Sequence, residues 1–250
     1  MPSDPVSLTV EGARARVVLQ RPEKLNALSA LALDGLDRAL DEIDGDPKVR
    51  VATIEGAGDR AFCVGADVRE LAARRPEEVS RANLRGHEVF DRLERARVPT
   101  IALLHGYALG GGLELAMACD LRLAVEGTLL GLPEVSIGVL PGWGGTWRLA
   151  RLVGDARARE LILTGRRVTA ERASEIGLVH EVVAAGSLQQ RAGAVADEIA
   201  ENSPQAVALA KETLGLWSRI DASVQHVESA AVGHLVALED FHERVAARLG

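Results

Sequence analysis

Two glutamates in this 250-residue chain stand among residues that ordinarily exclude them. Glu114 lies in H-G-Y-A-L-G-G-G-L-E-L-A-M-A-C-D (105–120), between two leucines at the start of an otherwise apolar helix. A glutamate is almost never fully buried without a partner, so its place asks for a reason. The three glycines before it offer one. They let a ligand approach the backbone closely, and the first N–H groups of a helix are unpaired and face outward, where the helix dipole favours negative charge. Such a helix start is a good oxyanion donor. Glu134 follows in G-L-P-E-V-S-I-G-V-L-P-G-W-G-G-T, directly after a proline and again among apolar residues. Two carboxyls near one oxyanion hole suit acid–base chemistry beside a carbonyl group. Taken singly, each acid also fits a plainer role: Glu114 an ion-paired or partly exposed helix acid, Glu134 a turn or capping acid.

Other chemistries lose their usual supports. Around Gly142 the string G-W-G-G-T-W puts Trp147 where a dinucleotide-binding fingerprint needs its third glycine, and G-x-x-x-x-G-K-[ST] is absent. Ser136 has Glu134 and Gly138 two residues to either side, which is not a nucleophile elbow, and there is no H-E-x-x-H. Cys63 and Cys119 are the two cysteines, both in apolar segments, and read as buried thiols in a reducing compartment rather than a disulfide or a thiolate zinc site. His105 precedes the triple glycine and fits either a strand end or a ligand contact. The other histidines show no metal-ligand spacing, so no metal is expected.

The elements that must position the two acids follow from periodicity. Val6, Leu8 and Val10, then Ala15 to Gln20, read as a hairpin. Ser29 caps a helix carrying Leu31, Leu36, Leu40 and Ile43, which D-G-D-P stops at 44–47. Strands are expected at 49–55, 100–104, 121–125 and 179–183, with a short one at 129–132. Helical patterns occupy 68–97, broken near Pro76, and the segment after the glycine cluster. Beyond Gly142 the chain is mainly helical, and a helix-rich tail from Ser187 to Gly250 carries a start signal in N-S-P-Q at 202–205. Strands alternate with helices early and helices gather late, which implies an α/β core (1–190) followed by a helical C-terminal region (191–250).

Composition bounds the function classes. Hydrophobic residues are 47% and charged residues 26%, ordinary for a globular chain. At this length about three quarters of the unfolded surface can be buried. The net charge of −7 argues against nucleic acid or an anionic membrane as main partner. The start M-P-S-D-P-V-S-L has no basic, apolar signal pattern, and the longest apolar stretch, Val98 to Leu113, is interrupted by polar residues and glycine, so a cytoplasmic protein is expected.

The glutamate strings, together with R-P-E-K-L-N-A-L-S (21–29), A-F-C-V-G-A-D-V-R-E-L (61–71), T-G-R-R-V-T-A-E-R-A-S-E-I-G-L-V (164–179) and N-S-P-Q-A-V-A-L-A-K (202–211), resemble the enoyl-CoA hydratase/isomerase (crotonase) superfamily in order and over about 190 residues. The resemblance implies an α/β fold made of a spiral of repeated strand-strand-helix turns, with a helical C-terminal region used for trimerisation and trimers pairing into hexamers. It implies an acyl thioester of coenzyme A as substrate and no permanently bound cofactor.

By the same resemblance the oxyanion N–H groups belong to Ala66 and Gly111. Glu114 becomes the base that activates water and Glu134 the acid that protonates the α-carbon. Gly142 matches a position whose backbone helps hold that water. Trp143 adjoins the acyl site, where a bulky ring shortens or redirects the pocket; core packing explains it equally well. Coenzyme A contacts are implied at Lys24, Leu25, Cys63, Val64, Asp67 and Arg69, with Arg21 nearby and carbonyls around Cys63 and Val64 facing the adenine. The usual basic, phenylalanine-containing C-terminus of the family is missing.

Both glutamates together favour hydration of a trans-2-enoyl-CoA, with fatty acid oxidation as the default setting. The alternatives are double-bond isomerisation, or a specialised hydratase or decarboxylase reaction on the same oxyanion hole. A non-catalytic RNA-binding or scaffold role is disfavoured by the acidic early helix with Asp34, Asp37, Asp41, Glu42 and Asp44.

Overall fold

The computed structural model describes residues 4–216 and 222–249; residues 217–221 and 250 of the expected helical tail lie outside the described residues. The chain opens with the hairpin β1 (Val6–Glu11) and β2 (Arg14–Leu19), followed by α1 (Ala30–Gly45). The Ser29 side chain caps α1 by accepting from the Ala32 N–H at 3.2 Å. After β3 (Val51–Gly56) come the short α2 (Val68–Ala72) and the long α3 (Pro76–Glu94). Pro76 sits in the first turn of α3, where its missing N–H costs nothing, so the break in the helical pattern is a new start.

The next stretch builds two turns of strand, strand and helix. β4 (Thr100–Leu104), β5 (Tyr107–Leu109) and α4 (Gly111–Ala118) form one; β6 (Leu121–Val125), β7 (Leu129–Gly131), a 3-10 turn (Glu134–Ile137) and α5 (Gly145–Val153) form the next. Then follow α6 (Asp155–Thr164), β8 (Arg167–Thr169), α7 (Ala170–Glu175), β9 (Glu181–Val183), α8 (Leu188–Ala200), α9 (Pro204–Leu216), α10 (Ala222–Leu235) and α11 (Glu239–Leu249).

The strands form two sheets. One has the order β1-β2-β3-β4-β6-β9, parallel except for the β1–β2 hairpin; the other has the order β5-β7-β8, with β5 and β7 parallel. The first strand of each turn thus joins the large sheet and the second joins the small one, which winds the chain into a spiral. The sequence reading contains no strand at 107–109 or 167–169. Each has three residues, too few to show alternation, and each exists through its pairing with β7.

Alternation sorts the core. Ala102 and Leu104 face Leu36, Ile43, Phe90 and Leu115 beneath α1, α3 and α4, whereas Ile101 and Leu103 face Leu188, Ala192 and Val195 of α8. A third apolar cluster joins Val79 of α3 and Val139 to Val232 and Val236 at the end of α10 and Phe241 and Val245 of α11, so the C-terminal helices fold back over the core. Lys211 of α9 donates to Asp120 Oδ2 at 2.7 Å and to the Val98 carbonyl at 2.9 Å, tying the N-S-P-Q helix to the sheet.

Candidate active site

The glycines before α4 are dictated by close backbone approach. A Cβ on Gly112 would lie 2.7 Å from the carbonyl carbon of Cys63, and one on Gly65, whose φ is +97°, would lie 2.8 Å from the Gly111 nitrogen. A bridge between Cys63 and Ala108 holds the 61–66 loop against β5. The N–H groups of Ala66 and Gly111 are thereby brought side by side: a Cβ on Gly111 would be 3.4 Å from the Ala66 nitrogen. Gly111 is the first residue of its helix, so its N–H has no acceptor a turn back. The bridge that ties Leu28 to the loop uses the N–H groups of Leu28 and Asp67, not that of Ala66.

Glu114 is 2% exposed within α4, all eight residues of which are buried. Its Oε1 accepts from the Trp143 N–H at 2.8 Å and the Gly145 N–H at 2.7 Å. Burial, then the neighbouring Glu228 charge, pushes its carboxyl up to about 7 against the pull of those two bonds and Arg148. Glu134 begins the 3-10 turn after Pro133. Its Oε1 lies 3.0 Å from a Cβ built on Gly110, so the carboxyl stands over the start of α4. Glu134 is half-buried as a residue, yet its Oε2 is occluded and has no hydrogen-bond partner among the described residues. Burial, then the Glu114 and Glu228 charges, raises its pKa well above the ordinary value.

Glu114, Glu134, Ala66 and Gly111 line one cavity of about 1220 Å³. Its size suits a large ligand. Against this geometry, a sequence model of the enoyl-CoA hydratase/isomerase family matches residues 10–244. The chain belongs to the enoyl-CoA hydratase/isomerase family. The chain is 40% identical to the short-chain-enoyl-CoA hydratase of Clostridium acetobutylicum, over 97% of its own length and 93% of that protein. It is 36% identical to the crotonyl-CoA hydratase of Syntrophomonas wolfei over 98% and 94%. The crystal structure of the enoyl-CoA hydratase from Bacillus anthracis superposes with a TM-score of 0.83 at 38% identity, covering 98% of this chain and 96% of that one. The α/β fold with its helical C-terminal region is therefore that of the enoyl-CoA hydratase/isomerase family.

As a member of the enoyl-CoA hydratase/isomerase family, the chain carries nearly all of its expected site residues into this cavity. Lys24, Leu25, Val64, Asp67, Arg69, Gly142 and Trp143 line it alongside Ala66, Gly111, Glu114 and Glu134. Cys63 does not, which corrects the expected coenzyme A contact there. Cys63 is fully buried, its carbonyl accepts the Leu109 N–H at 3.0 Å, and burial pushes its thiol up to about 12. Asp67 lines the cavity, but its carboxylate caps α2 through the Arg69 N–H and pairs with Arg21 at 3.0 Å. Arg21 also donates to the Ala27 carbonyl, so its guanidinium is engaged in holding the loop. His105 faces a separate groove and is not part of the site.

Trp143 lines the cavity and is also part of the core: it is 6% exposed, packed edge-to-face on Phe90 with ring centroids 5.4 Å apart. Two buried polar residues beside the site carry no role in the sequence reading. Asn83 of α3 lines the cavity, and its Nδ2 has no partner among the described residues. Glu228 of α10 is 4% exposed and accepts from the Gly144 N–H at 3.0 Å. The signal that could have found Glu228 is helical spacing: it stands four and eight residues before Val232 and Val236 of the third apolar cluster.

Proposed function

We propose that the chain adds water across the 2,3 double bond of a trans-2-enoyl-CoA, giving the 3-hydroxyacyl-CoA, with Glu114 as base and Glu134 as acid. The observation that carries this is the pairing of two buried carboxyls of unlike bonding over one pair of backbone N–H groups. Glu114 has accepted two N–H bonds on Oε1, which favour its ionised form. Glu134 has an occluded, unpaired oxygen, which favours its neutral form. The thioester oxygen takes the hydrogen bonds of Ala66 and Gly111. In a dry site one such donor lowers the barrier by about 3 kcal/mol as enolate charge develops. Glu114 removes a proton from water, the water oxygen bonds to the β-carbon, and Glu134 delivers its proton to the α-carbon. The sum is one water added, and proton exchange between the two carboxyls or with solvent resets the pair. Gly142 and its neighbours hold the attacking water.

Coenzyme A enters as part of the substrate, and this chemistry needs no resident cofactor. The exposed Lys24 and Arg69 at the cavity rim face its phosphates, and the Val64 carbonyl faces its adenine. Assembly into trimers, or hexamers as pairs of trimers, is part of this reading; Leu209 and Leu214 of α9 are 63% and 72% exposed and await a partner surface. No described helix is long and apolar enough to cross a membrane. Cytoplasmic thioester metabolism is the setting that fits.

The test is loss of enoyl-thioester absorbance with crotonyl-CoA in isotopically labelled water, beside Glu114→Gln and Glu134→Gln. Solvent oxygen in the product, and turnover reduced by orders of magnitude in both variants while thioester still binds, is the expected result. Full activity in either variant refutes its role, and a product without solvent oxygen turns the reading to isomerisation.

A further inference from the structure

The turn that holds Glu114 is itself held from behind. Three successive N–H groups point alternately to two carboxylates: Trp143 and Gly145 donate to Glu114 Oε1, and Gly144 between them donates to Glu228 Oε2 at 3.0 Å. The Thr146 hydroxyl donates to the other oxygen of Glu228. Nε2 of the fully buried His87 lies 3.3 Å from Glu228 Oε2. On the remaining side Arg148, fully buried, donates from Nη1 to the Trp143 carbonyl at 2.7 Å and is anchored by Asp91 at 2.7 Å and Glu94 at 3.1 Å. Gly144 has φ +97°, and a Cβ there would collide with Arg148, so this position of the turn requires glycine.

From this geometry we propose that Glu228 is a positioning residue for the hydration reaction: by binding Gly144 and Thr146 it aims the two flanking N–H groups at Glu114 and fixes the base. This rests on the reading of Glu114 as base. The peptide planes of 143–145 are linked, so releasing the middle N–H leaves it unpaired in a buried site and the turn rotates to find another acceptor. Both flanking N–H groups then lose their aim.

Glu228 also acts through charge. It faces Glu114 from α4, Glu134 from the 3-10 turn, His87 from α3 and Arg148 from α5; Asp91 of α3 pairs with Arg148 and, with His226 of the Glu228 helix, acts on His87. Burial keeps His87 neutral, down to about 4, so it offers no compensating charge. Burial raises the pKa of Glu228 itself against the pull of Thr146, Gly144 and Arg148, and in its ionised form its negative charge raises the proton affinity of Glu114. Removing it makes Glu114 a weaker base that ionises at lower pH.

The experiment measures kcat and KM for crotonyl-CoA against pH in wild type, Glu228→Gln, Glu228→Ala and Glu114→Gln, with thermal unfolding of each. Glu228→Ala is expected to lower kcat about 10- to 100-fold with KM little changed, because the turn touches the reacting end and not the nucleotide. Glu228→Gln keeps an oxygen for Gly144 and loses the charge: a smaller loss in kcat is expected, with the acid limb of kcat/KM moved to lower pH. A purely structural role lowers the melting temperature and leaves that limb in place. A folded Glu228→Gln with wild-type kcat and an unmoved limb, beside an inactive Glu114→Gln, overturns the proposal alone. Full activity in Glu114→Gln overturns the base reading instead. Should Glu228→Ala fail to fold, the isosteric glutamine variant decides.

Discussion

The indole of Trp143 occupies the space that a side chain at Gly86 would need: a Cβ built on Gly86 lies 2.6 Å from Cε2 and closer still to Nε1. On the opposite side a Cβ on Gly111 would lie 2.5 Å from Cζ3 of the same ring. The ring is thus wedged between α3 and the start of α4, with Phe90 against it.

This wedge links stability to acyl specificity. Gly86→Ala is expected to destabilise by about 1–3 kcal/mol through overpacking, read as a lower melting temperature. Trp143→Ala leaves a void that costs about 3–5 kcal/mol and opens the acyl end of the cavity. The ratio of kcat/KM for octenoyl-CoA over crotonyl-CoA should then rise. An unchanged ratio in a folded Trp143→Ala variant means that the ring does not bound the acyl group.

The pH dependence follows from the two carboxyls. In the proposed mechanism activity requires Glu114 ionised and Glu134 protonated. Burial and the Glu228 charge place Glu114 at about 7, and burial with the Glu114 charge places Glu134 well above its ordinary value. kcat/KM should therefore rise with pH through the region near 7 and fall at higher pH, with apparent values that belong to the pair. A profile flat from pH 5 to 9 contradicts this assignment.

How much of this was legible in the chain depends on distance along it. Glu114 and Glu134 announced themselves locally, as acids among leucine, valine and glycine, and the Ser29 cap and the Pro76 restart were read from single residues. Cys63 was misplaced because its neighbour Val64 does line the cavity, and only the Cys63–Ala108 bridge shows that the carbonyl turns inward. In the sequence the acids of α1 speak only against a phosphate-bearing partner. In the fold Arg85 pairs with Asp34 and Asp37, and Arg92 with Asp37 and Asp41, from α3 about fifty residues away. Periodicity carries no record of such long-range pairing. The same holds for Glu228, whose partners Gly144 and Thr146 lie more than eighty residues upstream.

Holding an acid as costly as Glu114 should be visible in stability. Its folded pKa of about 7 exceeds the ordinary 4.5, so the folded state binds the proton more tightly than the unfolded state, and stability falls as pH rises between those values. Above pH 7 the full cost, on the order of 3 kcal/mol, is present. Glu114→Gln removes it and keeps an oxygen for the Trp143 and Gly145 N–H groups. The variant should melt above wild type at pH 8, with the gap closing at pH 5. Calorimetry showing the same gap at both values would separate the effect from Glu114 ionisation.

The oxyanion pair can be tested without touching either acid. Gly65 combines a φ of +97° with a Cβ position 2.8 Å from the Gly111 nitrogen and 3.0 Å from the Leu109 carbonyl, both backbone atoms that have no rotamer to yield. Gly65→Ala must therefore push the 61–66 loop away from the start of α4 and spread the Ala66 and Gly111 N–H groups. Oxyanion donors displaced in this way cost about 10²–10³ in kcat. Val64, proposed to face the adenine, lies on the same loop, and its N–H donates to the Leu25 carbonyl at 3.2 Å, so titration calorimetry with a saturated acyl-CoA should show weaker binding as well, with the loss in affinity smaller than the loss in kcat. A variant that retains the fold, binds the saturated thioester and still turns over crotonyl-CoA at the wild-type rate would place the charge-stabilising donors somewhere other than Ala66 and Gly111.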